Sequence, residues 1–89
     1  MKVMKKLRLR DLVLPPAVER TVQRLQGALE AAETIQELRL IEQRAEGFVL
    51  GLETSLGVRQ DTIEELYIGF EQAVIDRLSN LETVRIQRH

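Results

Sequence analysis

The sequence predicts an all-α fold, a three-helix antiparallel bundle with an N-terminal extended arm or short strand, and a dimeric assembly. Apolar residues recur with helical spacing in three successive segments. A change in the phase of the apolar stripe separates the first two segments, and a loop at residues 55–61 separates the last two. Apolar residues make up 44% of the 89 positions, but aromatic residues make up only 3%, so the core must be aliphatic. A chain this small with so little aromatic mass often gains stability by association, which favours a homodimer.

Residues 1–14 form the predicted basic arm. Residues 1–10 carry five positive charges and no negative charge, whereas residues 11–89 carry eight positive and fourteen negative charges. The alternation from Lys6 to Leu12 places Leu7 and Leu9 on one face and Arg8 and Arg10 on the other, as a strand would. The candidate nucleic-acid contacts are Lys5, Lys6, Arg8 and Arg10. The leucines of the arm are predicted to be buried, either against the helices or against the symmetry mate, because burying four of them is worth about 6–10 kcal/mol as an upper estimate. They are Leu7, Leu9, Leu12 and Leu14.

The first helix is predicted over residues 15–32, because proline is pre-organised for an opening helical turn. Its apolar stripe has a 4-3-4-3 spacing and consists of Val18, Val22, Leu25, Leu29 and Ala32. The stripe of the next segment would lie about 180° away if the two segments formed one helix. The prediction is therefore a turn at residues 32–35, and the alternative is one long helix that buries opposite faces in its two halves.

The second helix is predicted over residues 34–55, and Thr34 and Glu37 match the capping-box pattern at its start. Its stripe consists of Leu38, Ile41, Ala45, Phe48, Val49, Leu52 and Leu56. Leu40, Gly47 and Gly51 lie on the opposite side and are candidate interface residues, because a GxxxG spacing lets another helix approach closely. The alternative interpretation is that the two glycines mark a frayed helix end.

The third helix is predicted over residues 62–84, with a loop before it at 55–61 and a tail after it at 85–89. Gly57 is the candidate cap for the preceding helix, and Asp61 is the candidate cap for this one. The main stripe consists of Ile63, Leu66, Tyr67, Phe70, Val74, Leu78 and Leu81. Ile68 and Ile75 sit seven residues apart on a separate flank. Together with Leu7 and Leu9 of the arm, they complete the set of candidate interface residues.

Arg77 is the one charged residue on the third stripe. A buried arginine needs a partner, so either its head group reaches the edge of the stripe or it pairs with a carboxylate across a subunit interface. Glu42 and Glu46 are the candidate carboxylates for that pair.

The sequence predicts no catalytic, cofactor or metal site. The one histidine is the final residue, His89, the chain has no cysteine, and its five glycines form no phosphate-binding loop. No apolar run approaches the roughly 18 residues of a membrane span, and an absence of cysteine suits a reducing compartment. We therefore expect a cytoplasmic protein that is not an enzyme, with no membrane partner and no small-molecule substrate.

Two family resemblances bear on function. The segment LRLRDLVLPPAVERTVQRL, residues 7–25, is similar to the start of the ribbon-helix-helix DNA-binding family, which implies a dimer whose two-stranded ribbon reads the major groove. This chain lacks the short turn that joins the two helices in that family, and it has a third predicted helix that the family pattern does not include. The segments ETIQELRLIEQ and EELYIGFEQAVIDRL resemble the helical blocks of the small haemolysin-modulating, nucleoid-associated family, although a longer loop separates them here.

The predicted function is a small regulatory protein that acts by helical protein–protein interaction, as a homodimer and with another protein. The alternative is a DNA-binding transcriptional regulator that uses the basic arm. The net charge of −6 on residues 11–89 opposes phosphate binding unless the arms project from one face.

Overall fold

The structure is a computed structural model, and it describes residues 8–55 and 57–87, with side chains as far as residue 83. Helix α1 spans Pro16–Ala31, helix α2 spans Ile35–Thr54 and helix α3 spans Gln60–Gln87. A 3₁₀ turn, Leu9–Asp11, precedes α1, and residues 8–55 and 57–87 contain no strand. The prediction of an all-α fold with three helices is confirmed. Half of the predicted arm, residues 1–7, lies outside the described residues, and Leu9–Asp11 within the other half form the 3₁₀ turn.

The chain turns between α1 and α2 at residues 32–34, as predicted, and a continuous helix is excluded. The Thr34 hydroxyl accepts the backbone N–H of Glu37 at 3.0 Å. The Glu37 carboxylate accepts the backbone N–H of Glu33 at 3.2 Å, one residue further back than in the usual capping box. The two side chains thus fix the entry of the chain into α2.

The three predicted stripes meet in one core. Every stripe residue that the structure describes is buried or half-buried, and no polar or charged side chain among the described residues is buried. The largest fully buried side chains are Leu29, Leu38, Val49, Ile63 and Leu66, so the core is mainly aliphatic, with Phe70 as a buried aromatic residue. Its most extensive helix pair is α2 with α3.

Helix α2 ends at Thr54. Its C-cap is Ser55, and not Gly57 as the sequence predicted. The backbone N–H and the hydroxyl of Ser55 both donate to the Leu52 carbonyl, at 3.1 Å and 2.9 Å. A glycine cap needs a positive φ, and no residue in the described ranges has one. Ser55 thus provides both donors to the Leu52 carbonyl in the last turn of α2.

Helix α3 begins at Gln60, so Asp61 lies inside its first turn instead of preceding it. The Asp61 carboxylate accepts the Thr62 N–H at 2.8 Å and the Arg59 guanidinium at 3.2 Å. The pKa of Asp61 is lowered, first by the hydrogen bond from Arg59. The predicted helix bounds, 15–32, 34–55 and 62–84, therefore differ from the observed ones by one to three residues, and α3 includes residues 85–87 of the predicted tail.

Candidate interaction surfaces

The candidate site residues fall into three groups. Lys5, Lys6 and Leu7 lie outside the described residues. Arg8, Leu9 and Arg10 lie beside α3, on the side that faces α1. The remaining candidates are all exposed on α2 and α3: Leu40, Gly47, Gly51, Ile68 and Ile75.

Leu9 is held in a notch that Gly69 leaves in helix α3. A Cβ atom built on Gly69 would lie only 2.6 Å from Leu9 Cδ2 and 3.0 Å from Leu9 Cγ. Leu9 is 4% exposed, so its contacts are made within its own chain, although the sequence had grouped it with the interface residues. Sequence reasoning missed Gly69, whose signal was a glycine in the interior of the third helix, where it costs about 1 kcal/mol relative to alanine.

Arg8 and Arg10 are exposed on either side of this leucine. They line a groove of about 330 Å³ between α1 and α3, to which Arg77 also contributes. Glu30 and Asp76 line the same groove, so its charged side chains sum to only one net positive charge. This balance is modest for a surface that would bind phosphate groups, where several cations usually act together.

Arg77 is bound within its own chain. Its Nε donates to the Ala32 carbonyl at 2.8 Å, and the side chain is half-buried. Carbonyls at a helix C-terminus lack intrahelical donors, and an arginine from another element can supply one. The guanidinium therefore joins α3 to the end of α1. The sequence predicted either a head group at the edge of the stripe or an ion pair across a subunit interface, and neither prediction included a backbone carbonyl as the partner.

The α2 outer face, which we define as Leu40, Gly47, Leu50 and Gly51, has no partner among the described residues. Leu40 is 61% exposed and Leu50 is 56% exposed. A Cβ atom on either glycine would meet nothing within 4 Å in the described chain. Because α2 continues to Thr54, both glycines lie within the helix, with Gly51 in its last turn.

A second groove, of about 220 Å³, runs between α2 and α3. We call it the α2–α3 groove. Its buried floor is apolar and consists of Ala45, Val49, Phe70 and Val74. Its more exposed rim consists of Glu42, Glu46, Tyr67, Ile68 and Glu71. Sequence reasoning missed this groove, because its two walls come together only when the helices pack.

The rim of the α2–α3 groove is negatively charged. Glu42 and Glu46 are four residues apart on one helix, where like charges disfavour each other. Glu42 pairs with Arg39 at 2.8 Å, while Glu71 faces them from α3. Residues 60–83 of α3 contain six acidic residues and one basic residue, so no cationic excess on that helix offsets the rim.

The pKa of Tyr67 responds to the negative charges around it. Its hydroxyl donates to Glu53 Oε1 at 3.4 Å. The pKa of Tyr67 is raised, first by partial burial, then by the charge of Glu53 and the hydrogen bond to it, and last by the charge of Glu46. Each of these effects disfavours the phenolate.

The described residues contain no group of three or more His, Cys, Asp or Glu side chains that could hold a metal ion. No helix in the described part of the chain is long and apolar enough to cross a membrane. Comparison of the chain with protein-family models, with curated proteins and with solved structures gives no significant match. Among the described residues, the candidate surfaces are the two grooves and the exposed α2 outer face.

Proposed function

We propose that this chain is a small non-enzymatic regulatory protein that acts by helical protein–protein interaction, as a homodimer and with another protein. One observation carries the proposal: large apolar side chains stand more than half exposed on α2 and α3, and one of them, Ile68, lines a groove with an apolar floor. They are Leu40, Leu50, Ile68 and Ile75. Exposed aliphatic side chains and a groove with an apolar floor are typical of a protein-binding surface.

The sequence supplies few groups for chemistry, which supports a binding role. It contains one histidine and no cysteine, whereas general acid–base and nucleophilic catalysis need such groups held in position. We expect no cofactor, no membrane partner and no small-molecule substrate. A cysteine-free chain suits a reducing compartment, and we place the protein in the cytoplasm.

Sedimentation of matched variants tests the homodimer. We expect the full chain to sediment as a dimer at tens of micromolar, and Ile68→Lys to weaken self-association at least about tenfold, because it puts a charge at an apolar contact. Val13→Lys is the matched control, since Val13 is 96% exposed and lines neither groove. A monomeric full chain, or equal effects of both substitutions, would contradict the proposal.

DNA binding through the basic arm is the second candidate function. Burial of Leu9 leaves Arg8 and Arg10 exposed beside each other, which favours contact with a polyanion. The test is binding of the full chain to duplex DNA at low and moderate salt. No binding at micromolar protein supports the first proposal, whereas salt-sensitive binding that Arg8→Ala and Arg10→Ala together abolish would establish the second.

A further inference from the structure

We infer that the α2–α3 groove binds the N-terminal segment, residues 1–7, of a second copy of this chain. The inference rests on the proposed homodimer and names the two surfaces that join its subunits. Three properties of the chain support it: the charge of the groove rim, the apolar floor beneath that rim, and the place where the described chain begins at Arg8.

The negative charge of the groove rim indicates which part of a second copy binds there. The rim carries three carboxylates, those of Glu42, Glu46 and Glu71. Residues 11–89 have a net charge of −6, so the helical body of a second copy would be repelled by this rim. Residues 1–7 contain three lysines and no acidic residue, which makes them the complementary part of the chain.

The apolar content of the same segment matches the floor of the groove. Besides its lysines the segment carries Met1, Val3, Met4 and Leu7. Methionine is unbranched and adapts to irregular apolar surfaces, and lysine stems pack against apolar groups while the ammonium stays in water. An apolar floor with an anionic rim therefore suits this mixed segment better than it suits a purely charged one.

The position of Leu9 favours exchange between two copies over folding back within one chain. Leu9 is held at Gly69 on the α1 side of α3, whereas the groove lies on the α2 side. A helix with side chains is about 10–12 Å wide, so the path around α3 is about 16–19 Å. Seven extended residues span at most about 25 Å, which would leave only two or three of them for the groove of the same chain. A segment from a second copy has no such detour to make.

A charge-swap experiment on the full chain tests the inference. The arm variant is Lys5→Glu with Lys6→Glu, and the groove variant is Glu46→Lys with Glu71→Lys. The groove variant leaves the ion pair between Arg39 and Glu42 untouched. In a homodimer of either variant, like charges meet at the groove. We therefore expect each variant to have a dimer dissociation constant at least about tenfold higher than the wild type by sedimentation. Circular dichroism confirms that each variant keeps its helices.

Mixing the two variants decides between exchange and folding back. In the mixture, the acidic arm of one chain meets the basic groove of the other, and the basic arm meets the acidic groove. We therefore expect a heterodimer that neither variant forms with itself. The control variant, Glu19→Lys with Glu65→Lys, makes the same change of charge on exposed residues outside the groove and retains the dimer.

The outcomes separate failure of this inference from failure of the proposed homodimer. A full chain that is monomeric at tens of micromolar overturns both. A dimer that persists in both variants overturns the inference alone and leaves the homodimer in place. The inference is also overturned if the mixture forms no heterodimer while a single chain that carries all four substitutions regains the wild-type sedimentation behaviour. That result would assign the groove to the N-terminal segment of the same chain.

Discussion

Gly69 and Leu9 show how one glycine can decide where an N-terminal segment lies. The Leu9 side chain fills the space that a Cβ atom at position 69 would need, so this glycine has a packing role inside the chain. Gly47 has no such neighbour in the described residues, although it also lies within a helix. The same substitution at the two positions should therefore have opposite effects on stability.

We expect Gly47→Ala to stabilise the protein by up to about 1 kcal/mol, the difference in helix propensity. Gly69→Ala should destabilise it by about 1 kcal/mol, because overpacking and partial loss of Leu9 burial, about 1–3 kcal/mol, exceed the propensity gain. In a Leu9→Ala background, Gly69→Ala should become stabilising. Urea unfolding of the four variants measures these changes in free energy, and a stabilising Gly69→Ala in the wild-type background would show that the notch is not tight.

Tyr67 gives a second prediction at the residue scale, because it is the only tyrosine and the chain has no tryptophan. Its absorbance titration should give a pKa above 10.0, and Glu53→Gln should bring it closer to that value than Glu46→Gln does. Glu65→Gln, which removes a charge outside the groove, should leave it unchanged.

The raised pKa of Tyr67 also fixes the sign of a stability change. Since the folded state holds the proton more tightly than the unfolded state, the contribution is complete below the unfolded pKa near 10.0 and is lost as the pH rises through the folded pKa. Unfolding free energies that increase over this alkaline range would contradict that assignment.

The helices themselves were predictable because their signal is local. Apolar spacing identified the buried faces of all three helices, and the Thr34 and Glu37 pattern identified the start of α2. The end of α2 was not predictable in the same way, because Ser55 takes the role that Gly57 was expected to play. The partners of Arg77 and Gly69 are 45 and 60 residues distant in sequence, and only the packing of the helices brings them together.

Arg77 connects two elements, and its removal should have a measurable cost. Arg77→Met keeps most of the stem but removes the donor to the Ala32 carbonyl, so we expect a loss of about 1–2 kcal/mol in unfolding free energy. Arg39→Met is the matched control, because Arg39 makes an exposed ion pair within one helix, which is worth only about 0.3–0.5 kcal/mol. Chemical denaturation measures both, and equal effects would show that the inter-element hydrogen bond adds nothing.

At the scale of the whole molecule, the charge distribution and the exposed apolar residues lead to the same proposal. The sequence shows a basic N-terminus on an acidic body, which by itself fits a nucleic-acid tail as well as a protein contact. The structure adds the acidic rim and apolar floor of the α2–α3 groove, which offer that N-terminus a protein surface. The sequence alone could not show that the two walls of this groove lie side by side, because Glu46 and Glu71 are on different helices.

If the native state is a homodimer, its thermal stability must depend on concentration. Raising the protein concentration a hundredfold favours the dimer by about 2.7 kcal/mol, which for two chains of this size corresponds to a rise in Tm of about 5–8 °C. Melting curves followed by circular dichroism measure this rise. It should disappear in the Glu46→Lys and Glu71→Lys double variant and persist in the Glu19→Lys and Glu65→Lys control. A Tm that is independent of concentration in the wild-type chain would mean that the three helices are stable as a monomer, and that the exposed residues of α2 and α3 serve a different partner.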